Sequence, residues 1–178
     1  MPIKDKSMSI IRLKSSSHHS LQSLFEDIFY RDKTGALAKS ALILYNKIKQ
    51  EPGLRSSEWQ NYIANVFKIS PLDFAEIEVL KEICKRYDVK ADSKKGLRGR
   101  KPYHVLVEKH SKGRIKLEEK ELELLQHVSR WHSAVSSYYS IINKLKAIGL
   151  IEKKEGNYIA SNRFVASLRA IEKSLSEK

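Results

Sequence analysis

The sequence predicts a mainly α-helical protein with two short β-hairpins, and three observations support this prediction. Apolar residues recur at intervals of three and four along most of the chain, which is the pattern of helices with one buried face. Two short segments near glycine alternate in polarity instead, which is typical of hairpin strands. The 178 residues are 41% hydrophobic, which is enough for a buried core in one domain or in two small ones.

The apolar spacing and the residues that start and stop helices set the expected helices. Pro52-Gly53 ends the second helix, because proline has no N–H to donate and glycine permits a turn. Ser70-Pro71 starts the fourth, with serine at the N-cap and proline at the first helical position. The expected helices cover residues 21–30, 36–50, 57–67, 70–87, 117–130, 134–148 and 162–175.

Two hairpins are expected between these helices. The run "YHVLV" at 103–107 alternates as a strand does, and "YDVKA" at 87–91 is its expected antiparallel partner. The basic, glycine-containing segment between them would form the tip. A smaller hairpin is expected in "LIEKKEGNYIAS" at 150–161, where Glu155-Gly156-Asn157 closes a charged tip.

Most of the net charge of +13 lies in one segment of the chain. Residues 89–116 contain ten Lys and Arg against two acidic residues and therefore carry +8. Concentrated positive charge indicates a polyanionic partner, most often nucleic acid. At the tip of the first expected hairpin, the basic side chains can neutralise phosphates and release counterions. The residues predicted to bind DNA there are Lys94, Lys95, Arg98, Gly99, Arg100 and Lys101.

The order of elements resembles the winged helix-turn-helix superfamily of DNA-binding proteins. Residues 41–83, "ALILYNKIKQEPGLRSSEWQNYIANVFKISPLDFAEIEVLKEI", resemble its first three helices. "GLRGRKPYHVLVEK" at 96–109 looks like its wing, and "INKLKAIGLIEKKEGNYIAS" at 142–161 resembles another recognition helix followed by a shorter wing. The resemblance implies two tandem units that bind double-stranded DNA, each with a helix in the major groove. The expected organisation is a flexible arm at 1–20, a winged-helix unit at 21–112 and a second unit at 113–178.

The two candidate recognition helices differ in charge. The first begins with Asp73, Glu76 and Glu78, which phosphate repels, and these acids can instead favour the positive end of the helix dipole. The second, at 134–148, contains no acid, and its polar residues can reach phosphates and base edges. An alternative is that this helix serves dimerisation or packing. The residues predicted to bind DNA on the second helix are Ser136, Ser137, Tyr139, Ser140, Asn143 and Lys144.

Several classes of function lack a signal in this sequence. Cys84 is the only cysteine, so no internal disulfide and no zinc site built on cysteine pairs is expected. No phosphate-binding glycine loop, metal-binding helix motif or nucleophile elbow is present. We therefore expect a non-enzymatic protein without metal or cofactor. No apolar run approaches the length of a membrane span, and no secretory signal is recognisable, so a cytoplasmic, nucleoid-associated location is expected.

The sequence thus predicts a basic DNA-binding protein, most simply a site-specific transcription regulator. A homodimer is expected, with the helix at 21–30 or the one at 162–175 at the dimer interface. One alternative is an architectural, replication or partition protein that assembles cooperatively on DNA. The other is a winged-helix interaction module whose partner is an acidic protein.

Overall fold

The computed structural model describes residues 21–50, 54–89, 101–167 and 169. Helices dominate this part of the chain, and the prediction of a mainly α-helical fold is confirmed. None of the helices in these ranges is both long enough and apolar enough to cross a membrane. In chain order, the elements are α1 (Leu21–Ile28), α2 (Ala36–Gln50), β1 (Leu54–Arg55), a 3-10 turn (Ser56–Glu58), α3 (Trp59–Phe67), α4 (Phe74–Arg86), α5 (Pro102–Ser111), α6 (Glu119–Ala147), β2 (Ile151–Lys154) and β3 (Asn157–Ala160).

Helix α6 joins two segments that were expected to be separate helices. Its buried side chains Val128, Trp131, Ala134 and Tyr138 continue one apolar face at intervals of three and four. No glycine or proline lies between residues 117 and 148 to interrupt that spacing. The helix therefore runs for 29 residues without a break. At the end of the chain, residues 163–167 are helical, within the range predicted for the last helix.

The predicted strand at 103–107 is wrong, because this segment is the first half of α5. Pro102 is at the first helical position after Lys101, where its missing N–H costs nothing. Tyr103 and Leu106 are three residues apart and both are buried. In the described part of the expected partner, residues 87–89, no strand is present either: Asp88 has a φ of +46°, and Val89 donates its N–H to the Cys84 carbonyl at 2.8 Å. Most of the predicted basic tip falls within residues 90–100, which lie outside the described residues.

The start of α4 also differs from the prediction. Asp73, not Ser70, is the N-cap residue: its carboxylate accepts a hydrogen bond from the Glu76 N–H at 2.7 Å. In return, the Glu76 carboxylate accepts one from the Asp73 N–H at 2.9 Å, which completes a capping box. The interpretation of these two acids as helix-start residues is confirmed.

The chain divides into two compact units that are not consecutive in sequence. The sheet unit consists of the described residues within 21–62 and 137–169, and the helical unit consists of those within 63–136. The sequence instead suggested consecutive units at 21–112 and 113–178. Helices α3 and α6 each contribute residues to both units.

The sheet unit contains a three-stranded antiparallel sheet in the order β1-β3-β2. Tyr158 in β3 pairs with Leu54 on one side and Lys153 on the other. Helix α1 packs on α2, with the ring centroids of Phe25 and Tyr45 5.8 Å apart. Phe25 and Ile28 of α1 are buried within this unit.

The helical unit has a core of its own. Buried residues from α4, α5 and α6 form it, together with two from the connecting segments. Arg86 on α4 forms an ion pair with Glu121 on α6, and the guanidinium nitrogen lies 2.6 Å from the carboxylate oxygen. On α4, Ile83 is buried, whereas Phe74 is 77% exposed. The core residues are Ile83, Val89, Tyr103, Leu106, Leu117, Leu125 and Val128.

Candidate nucleic-acid interface

The part of α6 that lies in the sheet unit has one buried and one exposed face. Tyr138, Ile141, Ile142 and Leu145 are at most 2% exposed. The opposite side forms an exposed stripe at intervals of three and four residues, as expected for one helix face. We call it the α6 stripe: Tyr139, Ser140, Asn143, Lys146 and Ala147.

The α6 stripe contains no acidic residue, and neither do its neighbours along the chain. Residues 124–151 are free of Asp and Glu. Small hydroxyl and amide side chains permit close approach to a duplex and can pair with phosphates or base edges. Lys146 adds a positive charge on the same face. A polyanion can therefore approach this face without meeting a carboxylate on α6.

Tyr139 is held in place by other aromatic rings of the sheet unit. Its ring centroid is 6.1 Å from that of Trp59 and 5.3 Å from that of Tyr138, which it meets edge-on. The side chain is still 42% exposed. Because its neighbours already restrict the ring, Tyr139 loses little conformational entropy when it contacts a ligand.

Lys144 does not belong to the α6 stripe, although it was predicted to bind DNA. Its Nζ donates a hydrogen bond to the carbonyl of Ile28 at 3.1 Å and lies 4.6 Å from the centre of the Phe29 ring. Burial, followed by the nearby positive charge of Arg31, lowers the pKa of Lys144. The ammonium group satisfies a carbonyl at the C-terminal end of α1, where a cation is favourable.

The turn after α6 fixes the end of this helix to the hairpin that follows. Gly149 has a φ of +78°, and Leu150 donates its N–H to the Leu145 carbonyl at 3.0 Å, as in a Schellman cap. The carbonyl of Gly149 accepts from the Phe164 N–H at 3.2 Å, and that of Leu150 accepts from the Ser161 N–H at 2.9 Å. These bonds connect α6 to the segments on both sides of the hairpin.

The predicted hairpin at 150–161 is confirmed as β2 and β3. Its two turn residues, Glu155 and Gly156, have φ values of +49° and +82°, as in the type I′ turns that suit twisted hairpins. The Gly156 carbonyl accepts a hydrogen bond from the Ser56 N–H at 2.9 Å, which connects the turn to the residue directly after β1. Lys153 and Lys154 are exposed beside the turn, and we call these two lysines with the turn the β2–β3 tip.

A basic residue of β1, Arg55, lies on the same face of the sheet as Lys154 of the β2–β3 tip. Asn157 in β3 pairs with Arg55 in β1 and with Lys154 in β2. Residues directly opposite one another in a sheet lie on the same face, so Arg55 and Lys154 share a face, and both are exposed. Four basic residues of the sheet unit were not predicted to bind DNA: Arg55, Lys146, Lys153 and Lys154. The signal for the tip lysines was the run "EKKEG".

The predicted DNA-binding residues do not all lie in one unit. Lys101 is exposed at the start of α5 in the helical unit, and Ser136 is exposed at the last position of that unit. Ser137 is half-buried in the sheet unit. Of the residues predicted to bind DNA on the second helix, Tyr139, Ser140 and Asn143 belong to the α6 stripe. Lys94, Lys95, Arg98, Gly99 and Arg100 lie outside the described residues.

A cluster of Ser70, Glu76 and His127 in the helical unit has the composition of a nucleophile–base–acid triad. His127 Nδ1 is 2.8 Å from a Glu76 carboxylate oxygen. Its Nε2 is 3.0 Å from the Ser70 carbonyl oxygen and 3.4 Å from the Ser70 hydroxyl. These contacts join the ring of His127 on α6 to Glu76 on α4 and to Ser70 in the segment before α4. The cluster therefore links α4 to α6.

Two further side chains that could take part in chemistry, Glu78 and Cys84, lie in surroundings that indicate a structural role. Glu78, the third acid near the start of α4, forms an ion pair with Lys81 at 2.6 Å. Cys84 is half-buried, and burial raises the pKa of its thiol. Over the described residues, no three His, Cys, Asp or Glu side chains converge in a way that could hold a metal ion.

These elements define a mainly α-helical protein with a small antiparallel sheet and one exposed, acid-free helix face. A family model described as an archaeal family matches residues 86–176, which is 91 of the 178 residues, and the chain belongs to that archaeal family. The match includes α5, α6, β2 and β3. No curated protein and no solved structure matches the chain.

Proposed function

We propose that this chain binds double-stranded DNA through the sheet unit, which acts as a winged helix-turn-helix. The observation that carries the proposal is the chain order in that unit after α1: α2, β1, the first part of α3, the last part of α6, β2 and β3, with β3 in the centre of the sheet. Helices followed by a hairpin that pairs back onto an early strand match the winged-helix plan. In this assignment the wing is the hairpin at 151–160, and the helical unit interrupts the chain between the second and third helices.

The charge distribution around the assigned recognition helix supports the proposal. The second half of α6 presents Tyr139, Ser140, Asn143 and Lys146 on a face without acids. In the major groove, asparagine can pair with adenine and lysine with guanine or a phosphate. The wing adds Lys153 and Lys154, which can neutralise backbone phosphates. A site-specific transcription regulator needs both kinds of contact: phosphate contacts position the protein and base contacts specify the site.

The proposed assembly is a homodimer, which would set the spacing between two half-sites. Phe25 and Ile28 of α1, and Phe29 directly after it, are buried within the chain, whereas Leu21 at the start of the helix is 38% exposed. Either this helix or the C-terminal segment can supply the dimer interface. In the described part of the C-terminal segment, Val165 is 43% exposed.

A variant that introduces a negative charge on the α6 stripe tests the proposal. Asn143→Glu places a carboxylate where the phosphates and bases would lie, and we expect the affinity for a labelled duplex to fall by about tenfold or more. Gln126→Glu is the matched control, because Gln126 is exposed on the same helix but belongs to the helical unit. Fluorescence anisotropy with duplex, single-stranded DNA and RNA of one sequence measures all three affinities. If the two variants bind the duplex equally well, α6 does not read DNA.

A further inference from the structure

A cleft of about 600 Å³ opens in the surface of the helical unit. It is bounded by α4, the turn that follows α4, the start of α5 and His132 of α6. This volume is within the range of sites that enclose a small organic molecule. The lining residues that the structure describes all belong to the helical unit, and none of these lies on the α6 stripe or at the β2–β3 tip.

The cleft has flat, apolar walls. Leu80, Val89 and Pro102 contribute aliphatic surface. The rings of Tyr103 and His132 lie nearly parallel, 7° from coplanar, with their centroids 5.4 Å apart. Aliphatic surface beside stacked rings is favourable for a planar apolar body, which leaves water when it packs there.

The charge at the cleft is positive. Among the described lining residues, Lys81 and Lys85 on α4 and Lys101 before α5 stand against one carboxylate, that of Asp88. The positive charge of Lys81 is partly offset by its ion pair with Glu78, so Lys85 and Lys101 provide most of the attraction. Burial, and then the charges of Lys101 and His104, lower the pKa of His132. The imidazole is therefore neutral at pH 7 and can both donate and accept a hydrogen bond.

We propose that this cleft binds a small organic anion with a flat, apolar body, such as an aromatic carboxylate. Lys85 and Lys101 would attract the carboxylate, while the aliphatic wall and the Tyr103–His132 pair would cover the ring. The proposal is independent of DNA binding, because it rests on residues of the helical unit that the DNA-binding assignment does not use.

Cys84 makes the site measurable, because it lines the cleft and is the only cysteine in the chain. The rate at which N-ethylmaleimide alkylates the intact protein therefore reports on this one position. The probe is 2-naphthoate, and its uncharged amide, 2-naphthamide, is the matched control of nearly equal shape. We expect 2-naphthoate to slow alkylation in a saturable manner, and 2-naphthamide at equal concentration to leave the rate unchanged.

Charge-neutral variants then test the two lysines. Lys85→Gln/Lys101→Gln should raise the 2-naphthoate concentration needed for half-protection by about tenfold. Lys116→Gln/Lys120→Gln, which removes two exposed lysines of the same unit outside the cleft, should leave it unchanged. All four lysines are exposed, and circular dichroism confirms that each variant is folded. The proposal is overturned if 2-naphthoate gives no protection, if the amide protects equally, or if both double variants behave like wild type.

Discussion

Two lysines of α6, only two residues apart, have different surroundings and should have separable effects. Lys144 bonds the Ile28 carbonyl and lies over Phe29, whereas Lys146 is exposed on the α6 stripe. Lys144→Met keeps the aliphatic stem but removes the charged hydrogen bond and the cation–π contact. We expect it to lower the free energy of unfolding by about 1–2 kcal/mol, measured by urea denaturation, with the duplex affinity of the folded protein unchanged.

Lys146→Met is the matched control for that variant, and its expected effects are reversed. Stability should stay within about 0.5 kcal/mol of wild type, as for most exposed substitutions. Duplex affinity should fall about threefold to tenfold, because one phosphate or base contact is lost. If Lys144→Met weakens DNA binding more than Lys146→Met, Lys144 contacts DNA as the sequence predicted, and the assignment of the α6 stripe is incorrect.

His132 should make the stability of the protein sensitive to mildly acidic pH. Its pKa in the folded protein is lowered by burial and by Lys101 and His104, while Lys81, Lys85 and Asp88 also line its cleft. As the pH falls, the unfolded chain therefore takes up the proton first, at a pKa of about 6.5. The stabilising contribution is complete above that pH and decreases below it.

The His132→Phe variant isolates this effect, because phenylalanine keeps a flat ring against Tyr103 but cannot titrate. Urea denaturation at pH 7.5 and at pH 5.5 gives the loss of stability for each protein. We expect the loss to be smaller in the variant than in wild type. Equal losses would show that His132 binds protons equally in the folded and unfolded states.

At the scale of elements, the turn after α6 depends on Gly149 for two reasons. Its φ is +78°, and a Cβ at this position would lie 3.0 Å from the Arg163 Cβ and 3.1 Å from the Phe164 nitrogen. Gly149→Ala should therefore add a steric cost to the backbone strain. Gly113 is the matched control, because its φ is +67° but nothing lies within 4 Å of its Cβ position.

We expect Gly113→Ala to destabilise the protein by about 1 kcal/mol, the usual cost of forcing alanine into the left-handed region. Gly149→Ala should cost about 1–3 kcal/mol more, because the backbone of residues 163–164 must move. Thermal and urea unfolding of the two variants measure the difference. Equal destabilisation would mean that the segment after β3 yields freely and does not hold the end of α6.

The helices were largely predictable from the sequence, because their signals are local. The apolar spacing gave α2 with its observed bounds, 36–50. The prediction of a strand at 103–107 was wrong because a run of five residues is too short to distinguish the two patterns. The same residues also fit a short helix in which two positions three apart, Tyr103 and Leu106, are buried. There, Pro102 at the first helical position was the stronger signal. Similarly, the start of α4 is set by the pair Asp73 and Glu76, a capping box that outweighs Ser70-Pro71.

At the scale of the whole molecule, the division into units could not be predicted from local patterns. Strand β1 has two residues and pairs with β3, about a hundred positions further along the chain. The predicted tandem order instead placed the first wing at 96–109, because the basic charge there is dense and adjacent to glycine. The same non-local pairing explains why Arg55 was missed: only the register of the sheet brings it beside Lys154.

Part of the candidate site was predictable, because helix periodicity fixes which residues share a face. Tyr139, Ser140 and Asn143 were identified from their polar character and spacing, and they form the α6 stripe. Lys144 was included because its type suits DNA, but its contact with α1 depends on residues far away in sequence. Lys146 follows from the same spacing as Asn143, three residues on, and could have been predicted from the register alone.

The salt dependence of duplex binding tests the central claim, that the sheet unit binds DNA with the β2–β3 hairpin as its wing. Anisotropy titrations at several salt concentrations give the slope of log affinity against log salt for wild type, Lys153→Gln/Lys154→Gln and the control Lys116→Gln/Lys120→Gln. If both tip lysines contact phosphates, the first double variant should have a slope shallower by about 2, since each phosphate contact contributes about 0.9. The control should keep the wild-type slope. A wild-type slope in both variants, or no salt-dependent duplex binding at all, would contradict the account.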